Sequence, residues 1–211
     1  MSFSLVAFDM DGTLVKEDSC WEIIHREFDS GDQAKENLEK WEKGLIDYPE
    51  FMRRDIELWD SRVHISDIDE ILSDYELAPN AQEVISELKG RGYEVAIITG
   101  GLDILADKVA QELGIPHVLS NSLETDEEGY LTGEGIFRVD PLRKYKALRD
   151  FTSEIGAEMS ECVGVGDSKY DTSLLEHVGL GIAIGGNEEL IEVADIVIND
   201  FNDFDLLLDY L

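Results

Sequence analysis

Two acids one residue apart, Asp9 and Asp11, close the first apolar run of the chain, Ser4-Leu5-Val6-Ala7-Phe8. Two carboxylates so placed can divide the work of a reaction. One ligates a metal and attacks, and the other exchanges a proton with the leaving group. Gly12-Thr13-Leu14 follows, and the glycine permits a tight turn away from the strand. A second pair of acids, Asp167 and Asp171, sits in Gly166-Asp167-Ser168-Lys169-Tyr170-Asp171, at the end of another apolar run. Four carboxylates at the mouths of two strands repel one another unless a divalent cation lies among them, and an all-oxygen ligand set points to Mg²⁺. Thr99-Gly100-Gly101 ends a third run, where a hydroxyl and the backbone N–H groups entering the next helix make an anion site. Lys144, with Arg143 and Lys146 as neighbouring candidates, stands where a helix begins. A lysine there opposes the helix dipole, which favours a functional reason for it.

These residues need strands that end side by side. Short apolar runs occur at Ser4–Phe8, Val95–Thr99, Val118–Ser120, Cys162–Gly166, Gly181–Ile184 and Ile196–Ile198. Most are continuous rather than alternating, as in strands buried on both faces of a parallel sheet. Helical stretches at Ala81–Arg91, Leu102–Leu113, Leu142–Ile155 and Thr172–Val178 lie between them. The alternation predicts an open α/β sheet with right-handed crossovers and ligands at the carboxyl ends of its strands. One segment breaks the pattern. From about Lys16 to Ala78 no strand is evident, and Trp21, Ile24, Phe28; Leu38, Trp41, Leu45; Phe51, Met52, Ile56, Trp59; and Ile65, Ile68, Ile71, Leu72 recur at helical spacing. A helical insert of this size predicts a lid over the site, with the three tryptophans filling its core. Glu128-Gly129-Tyr130 and Thr132-Gly133-Glu134 within 122–138 signal a hairpin.

Composition narrows the partners. The 211 residues carry 48 Asp and Glu against 17 Lys and Arg, a formal charge of −31, with 43% hydrophobic residues. That charge disfavours nucleic acid and anionic membrane surfaces, while the hydrophobic fraction suits a globular domain. No apolar run approaches the ~20 residues of a membrane span. The N-terminus lacks a basic start and a small-residue cleavage site. The two cysteines, Cys20 and Cys162, make neither a disulfide framework nor a metal pair. The expectation is a soluble cytoplasmic protein. The acidity fits either an adaptation to concentrated salt, which screens self-repulsion, or ordinary surface acidity.

Taken together and in order, the Asp9-Met10-Asp11-Gly12-Thr13 segment, Thr99-Gly100, Lys144 and Gly166-Asp167…Asp171 resemble the four motifs of the haloacid dehalogenase-like superfamily of aspartate-nucleophile phosphatases. The resemblance covers essentially the whole chain. Within the superfamily it is most similar to the phosphoserine phosphatase family, through the helical insert, the Leu131-Thr132-Gly133 hairpin and the ungapped spacing from Lys144 to Gly166. It implies a Rossmann-like, doubly wound, mainly parallel α/β core of residues 1–16 and 79–211. A helical cap of residues 17–78 follows the first strand, with a small β-hairpin insert further on. It implies Asp9 as nucleophile and Asp11 as general acid and base. Mg²⁺ would be held by Asp9, the backbone carbonyl of Asp11 and Asp167, with Asp171 in support. Thr99, Gly100 and Lys144 would hold the phosphoryl oxygens of a small phosphorylated metabolite.

Three positions depart from that family's pattern. Its substrate-binding glutamate falls on Asp18, its cap arginine on Asp55 beside Arg53 and Arg54, and the asparagine before the last motif aspartate is Tyr170. Phosphatase chemistry is implied more firmly than phosphoserine as substrate. His25, His64, His117 and His177 are dispersed and read as structural or surface residues. Two other readings use the same residues: a phosphotransferase passing the phosphoryl group to an alcohol, and a phospho-acceptor signalling domain. A receiver needs neither Asp11 as acid and base nor a 60-residue lid.

Overall fold

The structure is a computed structural model that describes residues 3–16, 19–60 and 62–206. Its strands are β1 (Leu5–Phe8), β2 (Glu94–Leu102), β3 (His117–Thr125), β4 (Leu131–Ile136), β5 (Cys162–Gly166), β6 (Leu180–Ile184) and β7 (Ile196–Ile198). They form one sheet in the order β4-β3-β2-β1-β5-β6-β7, parallel except for β4, which runs antiparallel to β3. This is the doubly wound α/β arrangement expected from the alternation of strands and helices.

The strand pattern explains the continuous apolar runs. Val6 and Phe8 of β1 point into one buried layer and Leu5 and Ala7 into the other, all fully buried. The same alternation recurs in β2, with Val95 and Ile97 on one face and Ala96 and Ile98 on the opposite face. Side chains alternate with period two, so burial on both faces removes any polar alternation. Helices α5 (Ala81–Gly90) and α6 (Asp103–Leu113) cover the first face through Ile85, Leu88, Leu105 and Val109. Helices α7 (Lys144–Ile155), α8 (Thr172–Leu175) and α9 (Glu188–Ile191) cover the second through Leu148, Leu174 and Leu190.

Between β1 and α5 the chain makes four helices: α1 (Cys20–Glu27), α2 (Gly31–Glu42), α3 (Tyr48–Ile56) and α4 (Ile65–Ile71). The helical segment leaves and rejoins the sheet at neighbouring points. The Lys16 N–H donates to the Glu76 carbonyl at 2.9 Å and the Ala78 N–H to the Leu14 carbonyl at 2.8 Å. Helix α3 starts on Asp47, whose carboxylate accepts from the Glu50 N–H at 2.9 Å, with Pro49 in its first turn. Its buried face is Tyr48, Phe51, Met52, Asp55 and Ile56, a spacing of i, i+3, i+4, i+7 and i+8. Four of the five are the hydrophobic or aromatic residues such a stripe demands. The fifth is an acid.

Several boundaries differ from the sequence expectation. Strand β3 is longer than Val118–Ser120: it pairs with β2 up to Asn121 and then with β4 from Ser122, so the hairpin is a continuation of the sheet. Leu45 and Trp59 lie beyond the ends of α2 and α3, and α8 is a single turn rather than reaching Val178. Trp59 is nevertheless buried, whereas Leu45 is 70% exposed. Strand β2 continues past Thr99 to Leu102, because its register against β3 shifts between Ile98 and Leu102. Four residues there span what two span on β3, so Thr99-Gly100-Gly101 bulges out at the carboxyl edge. No helix among the described residues is long and apolar enough to cross a membrane.

Candidate active site

The end of β1 sets the centre of the site. The Asp9 N–H still pairs with the Val165 carbonyl at 2.8 Å, and from Met10 the chain turns back on itself. Gly12 adopts φ +80°, and a Cβ there would run into the Asp167 carboxylate. Only glycine satisfies both demands. Thr13 then donates its hydroxyl to Asp167 Oδ1 at 2.7 Å, joining the loop after β1 to the loop after β5.

Lys144 crosses to this centre from the first turn of α7. Its Nζ lies 2.6 Å from Asp9 Oδ1 and 2.6 Å from Asp171 Oδ1, with all three side chains buried. A turn at Pro141–Arg143 delivers it. Pro141 packs directly on Gly100, where a Cβ would overlap the proline ring. Asp171 is fully committed: its other oxygen accepts from the N–H groups of Asp167 and Ser168, each at 3.1 Å. It orients both the lysine and the turn that carries Asp167.

The electrostatics follow from burial. Desolvation, and next the charge of Asp171, push the Asp9 carboxyl well above the usual carboxylate range, against the pull of Lys144. Burial alone would lower the Lys144 ammonium, but Asp171 and Asp9 outweigh it and hold the charge on. Asp11 is pushed up to about 7 by desolvation, against hydrogen bonds from the Cys20 backbone and thiol and the charge of Lys144. Its Oδ1 is buried without a hydrogen-bond partner among the described residues. A carboxyl titrating near neutrality, with one oxygen uncommitted, can both give and take a proton.

Asp9, Asp167 and Asp171 each place an oxygen within 4.8 Å of the other two. Among the described residues, Lys144 brings its ammonium to two of these acids, Asp9 and Asp171. The all-oxygen donor set fits a hard divalent cation such as Mg²⁺.

These groups open into a cavity of about 950 Å³ between the sheet edge and the helical segment. Asp9, Asp11, Thr99, Gly100, Lys144 and Asp167 form its floor, and Trp21, His25, Trp41, Tyr48, Phe51 and Asp55 line it from the helices. Trp21 and Trp41 therefore do more than fill the core of the helical segment, while Trp59 packs behind them.

Of the helical-side positions at which the family resemblance would place substrate contacts, Asp55 lines the cavity, whereas Arg53 and Arg54 do not. Asp55 is 1% exposed and accepts from Asn37 Nδ2 at 2.8 Å, with His25 Nε2 at 3.0 Å from its other oxygen. Arg53 and Arg54 lie off the buried stripe of α3 and pair with Glu50 at 2.8 and 2.7 Å, with Arg53 also bound to Glu57. Turning α3 to bring either inward would expose Phe51 and Met52. Asp18 lies outside the described residues. Tyr170 also faces the cavity and stacks on Trp41 with ring centroids 5.8 Å apart.

Sequence reasoning passed over His25, Tyr48 and Asn121. Among the histidines, His25 alone is both buried and cavity-lining. Asn121 carried a usable signal, since Ser120-Asn121-Ser122 puts three polar residues in the middle of a buried strand. Tyr48 shares the stripe of Phe51 and Met52, and nothing in its spacing separated it from core filling.

The comparisons agree with this geometry. The chain is 32% identical over 192 residues to the phosphoserine phosphatase of Archaeoglobus fulgidus, covering 90% of this chain and 55% of that protein. It thus spans about half the length of that relative. It is 31% identical to the phosphoserine phosphatase of Methanocaldococcus jannaschii, over 92% of this chain and 91% of that one. A solved phospho-aspartyl intermediate analogue of phosphoserine phosphatase superposes with a TM-score of 0.81 at 29% identity, covering 100% of each chain. The family model for haloacid dehalogenase-like hydrolases matches residues 6–176. That span includes every strand end and loop from which the floor of the cavity is built, and the chain belongs to the haloacid dehalogenase-like hydrolase family.

Proposed function

We propose that this protein is a Mg²⁺-dependent phosphomonoester hydrolase acting on a small phosphorylated metabolite through an aspartyl-phosphate at Asp9. The observation that carries the reading is Lys144 bridging Asp9 and Asp171 at 2.6 Å beside the uncommitted, near-neutral Asp11. Lys144 holds Oδ1 of Asp9, which leaves Oδ2 to attack phosphorus. The new P–O bond forms as the bond to the leaving alkoxide breaks, and Asp11 supplies the proton that the alkoxide takes. Asp11 then accepts a proton from water as that water attacks the acyl phosphate, releasing phosphate and restoring Asp9. Thr99, Gly100 and Lys144 supply donors and charge to the phosphoryl oxygens, offsetting the repulsion between a carboxylate and a phosphate dianion. Asp9, the backbone carbonyl of Asp11 and Asp167 would hold Mg²⁺, with Asp171 in support. When bound, the ion supplies further positive charge at the phosphoryl group. The solved relative with a phospho-aspartyl analogue supports the covalent step by likeness.

Residues 17–78 act in this reading as a cap over a core of residues 1–16 and 79–211. The two adjacent connections at Leu14–Lys16 and Glu76–Ala78 support the division. The cap sets the choice of substrate. Asp55 stands on its inward stripe and repels a leaving group that carries a carboxylate, so phosphoserine is a poorer substrate than at least one phosphate ester without one.

A phosphate-release assay over a panel including phosphoserine, ethanolamine phosphate and glycerol phosphate tests this. Activity that disappears with EDTA and returns with Mg²⁺ is the expected result. Absence of phosphate release from every ester in the presence of Mg²⁺ would overturn the proposal.

A further inference from the structure

The carbonyl of Gly100 is where the helical segment touches the bulge of β2. Tyr48 donates its hydroxyl to this oxygen at 2.8 Å, Asn121 Nδ2 donates at 3.0 Å, and Trp21 Nε1 approaches at 3.5 Å. Tyr48 and Trp21 come from α3 and α1, and Asn121 from β3. Asn121 is fully buried and has little freedom. Its amide also donates to the Val139 carbonyl at 2.9 Å, and its Oδ1 accepts from the N–H groups of Arg138 and Val139 at 2.7 and 2.9 Å. Tyr48 and Asn121 fill the two acceptor positions of one carbonyl oxygen.

The same peptide unit carries the N–H of Gly101, which donates to Thr99 Oγ1 at 2.9 Å. Donors on a carbonyl strengthen the hydrogen bond made by the N–H across the amide. Once Thr99 Oγ1 accepts this bond, its own O–H points elsewhere. Thr99 is 1% exposed and lines the cavity with Asp9 and Lys144, and no acceptor for its hydroxyl hydrogen is found among the described residues. A chain of bonds therefore runs from the Tyr48 O–H through the Gly100–Gly101 peptide to Thr99 Oγ1, which leaves the Thr99 hydroxyl hydrogen available to a group in the cavity.

We propose that Tyr48 is a positioning residue that fixes the Thr99 hydroxyl as a donor to the phosphoryl group, so that seating of the helical segment raises affinity for phosphate. The inference rests on the phosphatase reading above. The competing role for Tyr48 is packing, since its ring meets those of Trp41, Phe51 and Phe137 at 5.1, 5.2 and 5.8 Å. Tyr48→Phe keeps the ring and removes only the donor.

The test is the affinity of the Mg²⁺-loaded protein for inorganic phosphate and orthovanadate, by calorimetry, alongside KM and melting temperature. Tyr48→Phe should weaken binding and raise KM by roughly three- to tenfold, the scale of one neutral hydrogen bond, with little change in melting temperature. Thr99→Val should weaken binding further, and the double variant should bind no worse than Thr99→Val alone. Trp21→Phe, which removes the longer contact, should act in the same direction and less. Unchanged affinity in Tyr48→Phe, or an effect that adds in full to that of Thr99→Val, would overturn the role of Tyr48 and leave the phosphatase reading standing. A wild-type protein that binds neither anion would overturn both.

Discussion

The two walls of the cavity are built by different rules. On the sheet side, Asp9, Asp11, Thr99 and Asp167 sit within three residues of a strand end or in a strand bulge, and their positions follow from the backbone that carries them. Lys144 is delivered by a turn that packs on Gly100. On the helical side, Trp21, His25, Trp41, Tyr48 and Asp55 come from α1, α2 and α3, and they meet only because those helices pack together. The sheet wall presents charge with little latitude in geometry. The helical wall presents aromatic surface broken by one buried acid. On the proposed function, chemistry is thereby separated from choice of substrate.

The strongest way to break this comparison lies on the sheet wall. Asp9→Asn should abolish phosphate release and the binding of beryllofluoride as an acyl-phosphate mimic, while the melting temperature shows that the fold survives. Substantial turnover by that variant would remove Asp9 from the nucleophile's place. Asp11→Asn should reduce the rate of phosphate release by about 10²–10⁴-fold, the usual worth of a general acid and base, with Mg²⁺ affinity far less affected. A loss of less than tenfold would put the proton donor elsewhere.

Changes on the helical wall should be smaller and should fall on selectivity. Asp55→Asn keeps the volume and one acceptor, for either His25 or Asn37, turns an amide N–H₂ toward the other, and removes the charge. It should raise kcat/KM for phosphoserine relative to ethanolamine phosphate by about tenfold, equivalent to about 1.4 kcal/mol. Equal changes for both esters would show that Asp55 acts on stability alone. Asp55→Ala, which strands the donors of Asn37 and His25, should lower stability by about 1–3 kcal/mol in denaturant titrations. The smallest effect concerns neither wall. If the −31 charge is an adaptation to salt, the melting temperature should climb between dilute buffer and molar KCl as repulsion is screened, and a flat or falling trend would favour ordinary acidity.

The sheet wall was legible because its signals are short in sequence. Asp9 and Asp11 follow an apolar run, a glycine turns the chain behind them, and a parallel sheet brings such loops to one edge. The helical segment was legible as helices, through recurring apolar positions, but not as a surface. Periodicity says which side chains turn inward, and it does not say which of those meet a cavity rather than another helix. Trp21 and Trp59 show the limit. Both are buried at 7% and 5% exposure, and one lines the cavity while the other packs behind it.

Asp55 and Tyr48 show it from the other direction. The sequence alone determined a helical stripe through Phe51, Met52 and Ile56, along with the order of strands and helices and the identity of the acids at the strand ends, and the structure adds Tyr48 and Asp55 to that buried face. Packing alone decided that Asp55 would meet His25 and Asn37, from helices 30 and 18 residues away in sequence, and that Tyr48 would find the Gly100 carbonyl 52 residues on. Local pattern is set by interactions a few residues apart, which a sequence displays directly. Contacts between elements depend on how whole faces fit against one another, and that fit is fixed only when the chain has folded.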